Sequence, residues 1–391
     1  MARSLSCPFC WESIREQNLE RRCPEECGLA EDPQLTAFLE RPTGRAEMRP
    51  KSFKVSAAKG KGLCPHGRRA PQMQICPSCH NDLEHDYVRS AGRSRPIALI
   101  GASGSGKSVY VGVLVRELRT RVGSDFDGLA VEFVGDSSRS HYDKVFRVPL
   151  FEEGVTLRMT DSIRVNRRLE PLLFTLKFTS RQRRLRDRLD LAMMVFLDTS
   201  GEDVLRAEAM SRLARYLDAA AGIVLVVDPL QMPDVREAVT TTVYPQQATR
   251  QVDVVERLGA LLRQQRGLGP DKRLDTPLAV LLSKIDTLEA ILPDQSSLSR
   301  HAEHAGYYDE ADGLLVDQEV RSWIHRWYGE GFVNSVDANF STSRFFGMSA
   351  LGTAPSTDRK VDRAGIRPRR VEDPLLWLLA RFGMVRRGLK R

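Results

Sequence analysis

The chain has 391 residues, of which 41% are hydrophobic and 28% are charged, and its formal net charge is +8. This composition is that of a globular protein with one large or two ordinary domains. No apolar run approaches the ~20 residues that cross a membrane, and the N-terminus lacks the apolar core of a signal peptide. These features exclude a membrane-spanning protein and predict a cytoplasmic one.

The first unit, residues 1–90, holds all the cysteines. Two pairs have the C-P-x-C spacing of metal-binding knuckles, Cys7 with Cys10 and Cys76 with Cys79. Disulfides are rare inside cells, and each tight turn can present two thiolates to one tetrahedral Zn²⁺, so we expect one or two structural zinc sites. The predicted zinc ligands are Cys7, Cys10, Cys23, Cys27, Cys64, His66, Cys76 and Cys79.

The spacing leaves the grouping of these ligands open. In a sequential arrangement, the four ligands within residues 7–27 form one site and the four within 64–79 form the other. We favour it slightly, because each site then closes a shorter loop. In the alternative, the two knuckles share one metal and the middle four ligands share the other. His80 competes with His66 for the eighth position, and His66 is preferred. A third arrangement has one zinc site and leaves the other cysteines buried without metal.

The middle of this unit, residues 42–71, is rich in Pro, Gly, Lys and Arg. Such a composition predicts a mobile basic loop between the two cysteine-rich ends. Residues 90–95 predict a linker into the second unit, which spans residues 96–391.

A phosphate-binding pattern begins the second unit. Residues 101–108 read Gly-Ala-Ser-Gly-Ser-Gly-Lys-Ser, and a strand over 96–101 and a helix over 109–118 are predicted on either side. In this pattern glycines let backbone N–H groups surround the phosphates, the lysine contacts the β- and γ-phosphates, and the serine hydroxyl can bind Mg²⁺. The predicted nucleotide-binding residues are Gly101, Ser103, Gly104, Ser105, Gly106, Lys107, Ser108 and Val109.

Strands and helices then alternate, which is typical of an α/β sheet covered on both faces. Apolar segments at 171–179 and 189–198 flank basic residues and predict a hairpin with a basic tip. The elements predicted next are a helix over 204–221, a strand over 222–228, a helix over 247–265, and strands over 277–283 and 344–349. A closing helix is predicted to begin at Asp373-Pro374 and to end near Gly383, with its leucines on the sheet rather than on a membrane surface.

Two short motifs follow predicted strands at the sheet edge where α/β proteins bind ligands. Asp198-Thr-Ser-Gly201 has the D-x-x-G form, in which the carboxylate helps to hold Mg²⁺ and the glycine N–H senses the γ-phosphate. In Ser283-Lys284-Ile-Asp286, the Asp286 carboxylate can accept both N1–H and N2–H₂ of guanine, and the stem of Lys284 can lie along the base. Adenine offers no such pair of donors. The motif therefore predicts GTP and GDP as the nucleotides.

After the last predicted strand, Ser349-Ala350 can offer a backbone N–H to the guanine O6. Together the motifs resemble those of the TRAFAC-class, Ras-like GTPases over roughly residues 96–391. The resemblance implies a Ras-like three-layer P-loop fold, preceded here by the zinc-binding module. The catalytic residues that it implies are Lys107, Ser108, Asp198, Gly201 and Glu202, with Ser108 and Asp198 as Mg²⁺ ligands.

The chain departs from the Ras-like pattern in several places. Ser283 replaces the usual Asn or Thr of its motif. Glu202 stands where many such enzymes use a glutamine to orient water, and because its charge opposes the γ-phosphate, we expect slow intrinsic hydrolysis. Thr156 and Thr160 are candidates for the switch threonine, without a motif to support either. No arginine finger can be assigned.

The cysteine-rich unit before a Ras-like domain, with Arg-Val-Glu-Asp-Pro-Leu-Leu-Trp-Leu-Leu at 370–379, resembles a bacterial double-GTPase group. The resemblance implies a switch that acts on partner proteins, among them a second GTPase, in bacterial conflict or defence systems. An insertion is predicted at about 291–341. Its Trp323, Trp327 and Tyr328 are interpreted as local core in preference to a partner surface.

The leading hypothesis is a GTP-binding switch or GTPase that couples GTP binding and hydrolysis to a partner protein. One alternative is a zinc-dependent nucleic-acid- or protein-binding adaptor whose nucleotide domain does not hydrolyse, suggested by the basic stretches at 51–69 and 181–188. Another is a P-loop ATPase, if the motif at Asp286 is coincidental.

Overall fold

The computed structural model describes residues 4–39, 46–55, 62–83, 85–89, 95–126, 129–157, 172–180, 188–196, 210–239, 250–302, 304–356, 358–362 and 364–388.

A seven-stranded sheet forms the centre of the larger part of the chain. In spatial order its strands are Leu129–Phe133, Leu172–Ser180, Arg188–Phe196, Arg95–Gly101, Gly222–Val227, Leu278–Leu282 and Ser343–Gly347. The last five are parallel to one another, whereas Leu172–Ser180 is antiparallel to both of its neighbours. The predicted hairpin is thereby confirmed, and its basic tip, 181–187, lies outside the described residues.

Helices cover the sheet on both faces, as predicted for a three-layer α/β fold. Side chains alternate across a strand, so Ala98 and Ile100 belong to one apolar core and Ile97 and Leu99 to the other. The helices Met210–Ala219, Gln251–Arg266, Glu310–Tyr328 and Glu330–Asn339 cover the first core, and Lys107–Arg119 and Asp373–Arg381 cover the second.

The closing helix, Asp373–Arg381, has Pro374 in its first turn and Gly383 just after its end, as predicted. Its leucines pack on the sheet. A Cβ built at Gly222 would lie 2.8 Å from Leu378 Cδ2, so the glycine allows this close approach. The membrane-surface alternative for this helix is not supported.

The region between the phosphate-binding pattern and the hairpin contains elements that the sequence did not predict. They are the helices Arg121–Asp125 and Gly135–Tyr142, the edge strand Leu129–Phe133 and the π-helix Asp143–Glu152. The strand is only half-buried, and Pro149 interrupts the helical pattern of the π-helix, so neither gives a strong signal. Phe146 and Leu150 of the π-helix pack on the helix Lys107–Arg119 at Gly112.

The predicted insertion contains the two helices Glu310–Tyr328 and Glu330–Asn339. Trp327 is buried, and Trp323 and Tyr328 pack against the same core. The rings of Trp323 and Trp327 stack with their centroids 4.8 Å apart. The local-core interpretation of these aromatic residues is confirmed. Short elements complete this part: the helix Pro233–Ala238, the 3₁₀ helices Pro229–Gln231, Ile285–Leu288 and Ser297–Ser299, and the paired strands Tyr307–Asp309 and Arg386–Gly388.

Small antiparallel sheets make up the N-terminal part of the chain. Its elements are the strands Ser4–Ser6, Ser13–Arg15, Glu20–Arg22, Leu29–Glu31, Met48–Pro50, Ser52–Lys54, Gln74–Ile75 and Asp82–Leu83, the helices Pro33–Leu39 and His85–Arg89, and the 3₁₀ helices Glu16–Asn18 and Glu25–Cys27. Part of the expected mobile loop over 42–71 is therefore strand. Met48–Pro50 pairs with Leu29–Glu31, and Ser52–Lys54 pairs with Glu20–Arg22 around the buried Phe53.

Candidate nucleotide site and metal clusters

The phosphate-binding pattern lies between a buried strand and a helix, as predicted. The strand Arg95–Gly101 ends at the first glycine, and the helix begins at Lys107. Gly104 and Gly106 have φ angles of 72° and 88°, a region that favours glycine. A Cβ at Gly101 would lie 2.5 Å from the carbonyl oxygen of Val226. The loop therefore needs glycine at these positions, and it fits a backbone cradle for phosphate oxygens.

Side chains hold this loop by its carbonyl oxygens. Gln231 donates to Ser103 O at 3.2 Å, Lys284 to Gly104 O at 2.9 Å, and Ser283 to Ser105 O at 2.9 Å. The C=O and the following N–H of a trans peptide point in opposite directions. The N–H groups that follow these carbonyls consequently point away from the three side chains, and that of Ser105 donates to Ala102 O at 3.3 Å within the loop.

Lys107, Ser108 and Val109 occupy the first turn of the helix. The ammonium of Lys107 donates to Gly101 O at 2.9 Å and to Ala102 O at 2.8 Å, so its side chain folds back along the loop. The first N–H groups of a helix have no partner within the helix, and the helix dipole adds positive potential there. The turn therefore continues the anion site of the loop.

The residues predicted to bind guanine lie together at the carboxyl edge of the sheet. Ser283 to Asp286 follow the strand Leu278–Leu282, and Ser349 and Ala350 follow Ser343–Gly347. The Ser349 hydroxyl lies 2.5 Å from Asp286 Oδ1. Burial raises the pKa of the Asp286 carboxyl above its usual range, against the opposing hydrogen bond from Ser349.

The sequence did not predict two polar contacts at this edge. Asp228, fully buried at the end of Gly222–Val227, lies 2.6 Å from Lys284 Nζ. Gln231 accepts a hydrogen bond from Gln251 Nε2 at 2.7 Å. An aspartate directly after a buried parallel strand was an available signal for Asp228. Neither glutamine belongs to a motif, so no sequence signal pointed to them.

Asp198, Gly201 and Glu202 lie outside the described residues, as does Thr160. The strand Arg188–Phe196 that leads to them does end at the same edge as the phosphate-binding loop, since it is parallel to Arg95–Gly101. Thr156 is described, and its N–H donates to Arg359 O at 2.7 Å.

The two C-P-x-C knuckles meet in one four-cysteine group, here called cluster 1, made of Cys7, Cys10, Cys76 and Cys79. Its four sulfur atoms lie within 4.8 Å of one another, and two cross-knuckle Sγ–Sγ distances are 3.7 Å. Four sulfurs at about 2.3 Å from a tetrahedral zinc would be about 3.8 Å apart. The sulfurs are too far apart for disulfides, which need about 2.05 Å. Cluster 1 thus has the donor set and spacing of a closed zinc site.

The remaining predicted ligands form a second group, cluster 2, made of Cys23, Cys27, Cys64 and His66. The distances are 3.6 Å from Cys23 Sγ to His66 Nδ1 and 3.9 Å from Cys27 Sγ to Cys64 Sγ. Burial opposes ionisation of the Cys64 thiol, but backbone hydrogen bonds from Arg68 and His66 outweigh it and lower its pKa to about 7. A thiolate is the form that binds zinc.

The sequential grouping favoured from the sequence is wrong, and the alternative grouping is present. The sequential grouping was favoured because it closes shorter loops. The structure instead brings the two knuckles together in one apolar core, which contains residues from distant parts of the chain. The preference for His66 over His80 is confirmed. His80 instead places Nδ1 2.8 Å from Asp32 Oδ1, and Asp32 also pairs with Arg22 at 2.9 Å.

A glycine-lined phosphate loop at the carboxyl edge of a mostly parallel sheet defines a P-loop nucleotide-binding protein. The residues predicted to bind guanine lie at the same edge, as expected for a Ras-like P-loop GTPase. The chain belongs to the Double-GTPase 2 family, whose sequence profile matches residues 95–322.

A full-length relative is a candidate ESX-1 scaffolding and assembly protein, SaeC, of Mycolicibacterium smegmatis. It is 28% identical over 407 residues, which cover 97% of this chain and 99% of the relative. None of the helices among the described residues combines the length and apolar composition needed to cross a lipid bilayer.

Solved structures of GTPase domains are similar at low identity. The Saccharomyces cerevisiae Ski7 GTPase-like domain bound to GDP and phosphate is 14% identical with a TM-score of 0.32, covering 76% of this chain and 52% of that one. A candidate nucleolar GTP-binding protein 1 of Plasmodium falciparum is 13% identical with a TM-score of 0.30, covering 74% of this chain and 87% of that one. The chain thus spans about half the length of the Ski7 chain.

Proposed function

We propose that this protein is a GTP-binding switch that hydrolyses GTP to GDP and phosphate and couples its nucleotide state to a partner protein. The main support for this proposal comes from the residues predicted to bind the guanine base. The half-buried Asp286 carboxylate, held by Ser349, lies at the sheet edge where Lys284 contacts the phosphate loop. A carboxylate there accepts both N1–H and N2–H₂ of guanine, whereas adenine offers no matching donors. This arrangement favours GTP over ATP.

Hydrolysis is assigned to residues at the phosphate end. Lys107 stabilises negative charge on the β- and γ-phosphates, and Gly201 N–H contacts the γ-phosphate. Ser108 and Asp198 would hold Mg²⁺, which when bound neutralises phosphate charge. Glu202 positions the attacking water. The water oxygen bonds to the γ-phosphorus, the bond from the γ-phosphorus to the β–γ bridging oxygen breaks to leave GDP, and the water proton passes to the released phosphate. Because the Glu202 charge opposes the γ-phosphate, we expect a slow intrinsic rate.

We assign Zn²⁺ to clusters 1 and 2 as closed, structural sites in a module of residues 1–90, ahead of a GTPase domain of residues 96–391. The four-sulfur and three-sulfur, one-nitrogen donor sets support this assignment, as do their spacings. With four protein ligands in each cluster, neither site keeps the open position that a catalytic zinc needs.

The partner is proposed to be a protein. The relative that matches nearly the whole chain is a candidate scaffolding and assembly protein, which supports a role in assembling a protein complex. A second GTPase as that partner, a cytoplasmic location and a part in bacterial defence stay predictions from the sequence.

The substitution Asp286→Asn tests the guanine assignment. An amide presents N–H to the guanine N1–H, so the GDP affinity should fall by about 10- to 200-fold, the effect of about 1.5–3 kcal/mol for a charged hydrogen bond. The affinity for xanthosine diphosphate should rise, because its base offers an acceptor at C2. Equilibrium binding of GDP, ADP and xanthosine diphosphate with Mg²⁺ measures all three.

Asp294→Asn, at an exposed position in the same half of the chain, is the matched control and should bind GDP as the unsubstituted protein does. Unchanged GDP binding in Asp286→Asn, or a preference for ADP, would overturn the guanine assignment. Phosphate release from GTP in the same samples tests hydrolysis separately from binding.

A further inference from the structure

Cluster 1 is packed directly against the nucleotide-binding part of the protein. Trp11, the residue after Cys10, contacts Tyr216 in the helix Met210–Ala219, with ring centroids 5.1 Å apart. Both rings are almost completely buried, at 4% and 1% exposure. The four cysteines of cluster 1 share one apolar core with Trp11, Tyr216 and the strand that leads to the phosphate loop.

The knuckle fixes the position of Trp11. Its N–H donates to Cys7 O at 3.0 Å, and Cys7 N–H donates back across the turn to Glu12 O at 2.9 Å. Trp11 has a φ of 65°, an uncommon conformation for a bulky residue that this turn imposes. Cys7 and Cys10 of this turn both belong to cluster 1, so a metal bound there would constrain the turn and with it the position of the Trp11 ring.

Tyr216 links the same contact to the nucleotide site. Its hydroxyl accepts a hydrogen bond from the N–H of Leu99 at 2.9 Å, within the strand that ends at the phosphate loop. Its helix begins at Met210, shortly after Asp198-Thr-Ser-Gly201 in the sequence. Arg215 of this helix also pairs with Glu12 of the knuckle at 2.9 Å. The helix thus contacts both the strand that ends at the phosphate loop and the knuckle of cluster 1.

We propose that the structural metal of cluster 1 is also coupled to the nucleotide state, so that metal occupancy and bound nucleotide influence each other through Trp11 and the 210–219 helix. The inference rests on the proposed function. The γ-phosphate of GTP adds contacts at the phosphate loop, where the strand that holds Tyr216 through Leu99 ends. GTP therefore holds the 210–219 helix against Trp11 and retains the metal, and GDP loosens both. Because coupling is reciprocal, loss of this metal shifts the protein toward GDP by the same factor.

Cluster 2 provides a control within the same molecule. Its cysteines pack in a separate small core with Phe53 and Ala70. No residue of that core belongs to the core that contains Tyr216. Cluster 2 is therefore expected to be insensitive to the nucleotide.

The test measures transfer of Zn²⁺ from the zinc-loaded full chain to an excess of a chromogenic chelator, with excess Mg²⁺ and saturating GDP or a non-hydrolysable GTP analogue. The kinetic phase of Zn²⁺ transfer that is lost in the Cys23→Ser variant is assigned to cluster 2. We expect release from cluster 1 to be at least about fivefold slower with the GTP analogue than with GDP. Release from cluster 2 should not change.

Two substitutions and one control locate the link. Trp11→Leu should abolish the nucleotide dependence of cluster 1, whereas Phe53→Leu, a matched change beside cluster 2, should preserve it. Tyr216→Phe keeps the ring contact but removes the hydrogen bond to Leu99, and should reduce the dependence. The comparison in the unsubstituted protein decides the question even if Trp11→Leu does not fold.

Equal rates of release from cluster 1 with both nucleotides, in samples shown to bind them, would overturn the inference and leave the proposed function standing. A similar change at both clusters would also overturn it, because it would report general stabilisation. Failure to bind either nucleotide would instead contradict the proposed function, and the inference with it.

Discussion

Gln231 connects the phosphate loop to the rest of the fold. Its side-chain amide donates to Ser103 O and accepts a hydrogen bond from the side-chain amide of Gln251. The backbone N–H of Gln251 in turn donates to the Tyr328 hydroxyl at 2.8 Å. Gln231 and Gln251 are buried, at 3% and 0% exposure. This chain of hydrogen bonds holds one loop carbonyl in the orientation that leaves the next N–H for a phosphate.

Gln231→Ala should therefore weaken nucleotide binding without altering the choice of base. Losing one neutral hydrogen bond costs about 0.5–1.5 kcal/mol, which corresponds to a 2- to 12-fold weaker GDP affinity. Titration calorimetry with GDP and ADP measures both quantities. Gln265→Ala, on the exposed side of the helix Gln251–Arg266, is the control. An unchanged affinity for GDP would show that the Gln231 contact does not position the loop.

Asp286 gives a second prediction at the residue scale. Burial raises the pKa of its carboxyl above the ordinary 3.8, and only the ionised form accepts two hydrogen bonds from guanine. GDP affinity should therefore fall as the pH is lowered through this raised pKa, starting at a higher pH than for an ordinary aspartate. Fluorescence titrations between about pH 4.5 and 7 follow it. The same pH dependence in Asp286→Asn would assign it to another group.

The motif residues could be predicted because each motif is local. Eight consecutive positions fix the phosphate loop, and four fix the motif at Asp286, so spacing alone identified them. Asp228 and Gln231 act through partners distant in the sequence, Lys284 and Ser103. Their roles follow from the order of strands in the sheet and from side-chain reach, which no local pattern encodes.

At the scale of elements, the closing helix is anchored by buried ion pairs. His304 Nε2 and Arg370 Nη1 each lie 2.9 Å from Asp373, and Arg370 also pairs with Asp312. Glu372 pairs with Arg121 at 2.5 Å. His304, Glu372 and Asp373 also have the spacing of a metal site. Their carboxylates are already balanced by the two arginines, so we interpret the group as an ion-pair network.

This network should make stability depend on pH. Burial opposes protonation of His304, but the hydrogen bond and charge of Asp373 outweigh burial and raise the pKa of the imidazole above the ordinary 6.5. The charge of Glu372 adds to this rise, and the charge of Arg370 opposes it. A histidine with a raised folded-state pKa stabilises fully below about pH 6.5, and the stabilisation is lost as the pH rises through the folded-state pKa.

Urea unfolding at about pH 6 and pH 9 measures this effect. The free energy of unfolding should be lower at the higher pH, and His304→Gln should reduce the difference. His301→Gln, at an exposed position three residues earlier, should retain it. If His304→Gln leaves the pH dependence intact, the charge on His304 does not stabilise the closing helix.

The elements that the sequence predicted are those whose own residues give a strong hydrophobic signal. Buried parallel strands such as Gly222–Val227 and Leu278–Leu282 read as uninterrupted apolar runs. The edge strand Leu129–Phe133 is half-exposed, and the strands within 48–54 are short and polar, so their composition resembled that of a loop. Their pairing partners, rather than their own residues, make them strands.

At the scale of the whole molecule, cluster 1 belongs to the folding core of the nucleotide-binding part, whereas cluster 2 does not. The sulfurs of cluster 1 share a core with Ala98, Ile100 and Tyr216. The prediction of the ligand grouping considered only the entropy of closing each loop. In the folded protein, burial of the paired knuckles against the sheet outweighs that entropy. The same distinction predicts different consequences when each metal is lost.

Removal of one ligand from each cluster tests this distinction. Cys10→Ser should destabilise the nucleotide-binding part, because an open knuckle no longer holds Trp11 on the 210–219 helix. A loss of about 2 kcal/mol would lower its Tm by roughly 4–8 °C. Cys27→Ser, the matched change in cluster 2, should leave that transition in place and affect only the outer part of the module.

Thermal unfolding followed by release of a fluorescent GDP analogue reports the nucleotide-binding part alone. Zinc content, measured on the same samples, should fall by one equivalent in each variant. Equal shifts of the transition in Cys10→Ser and Cys27→Ser would mean that the two clusters support the sheet alike. The packing of Trp11 on Tyr216 would then be a contact of the folded state that carries no stability from one part of the protein to the other.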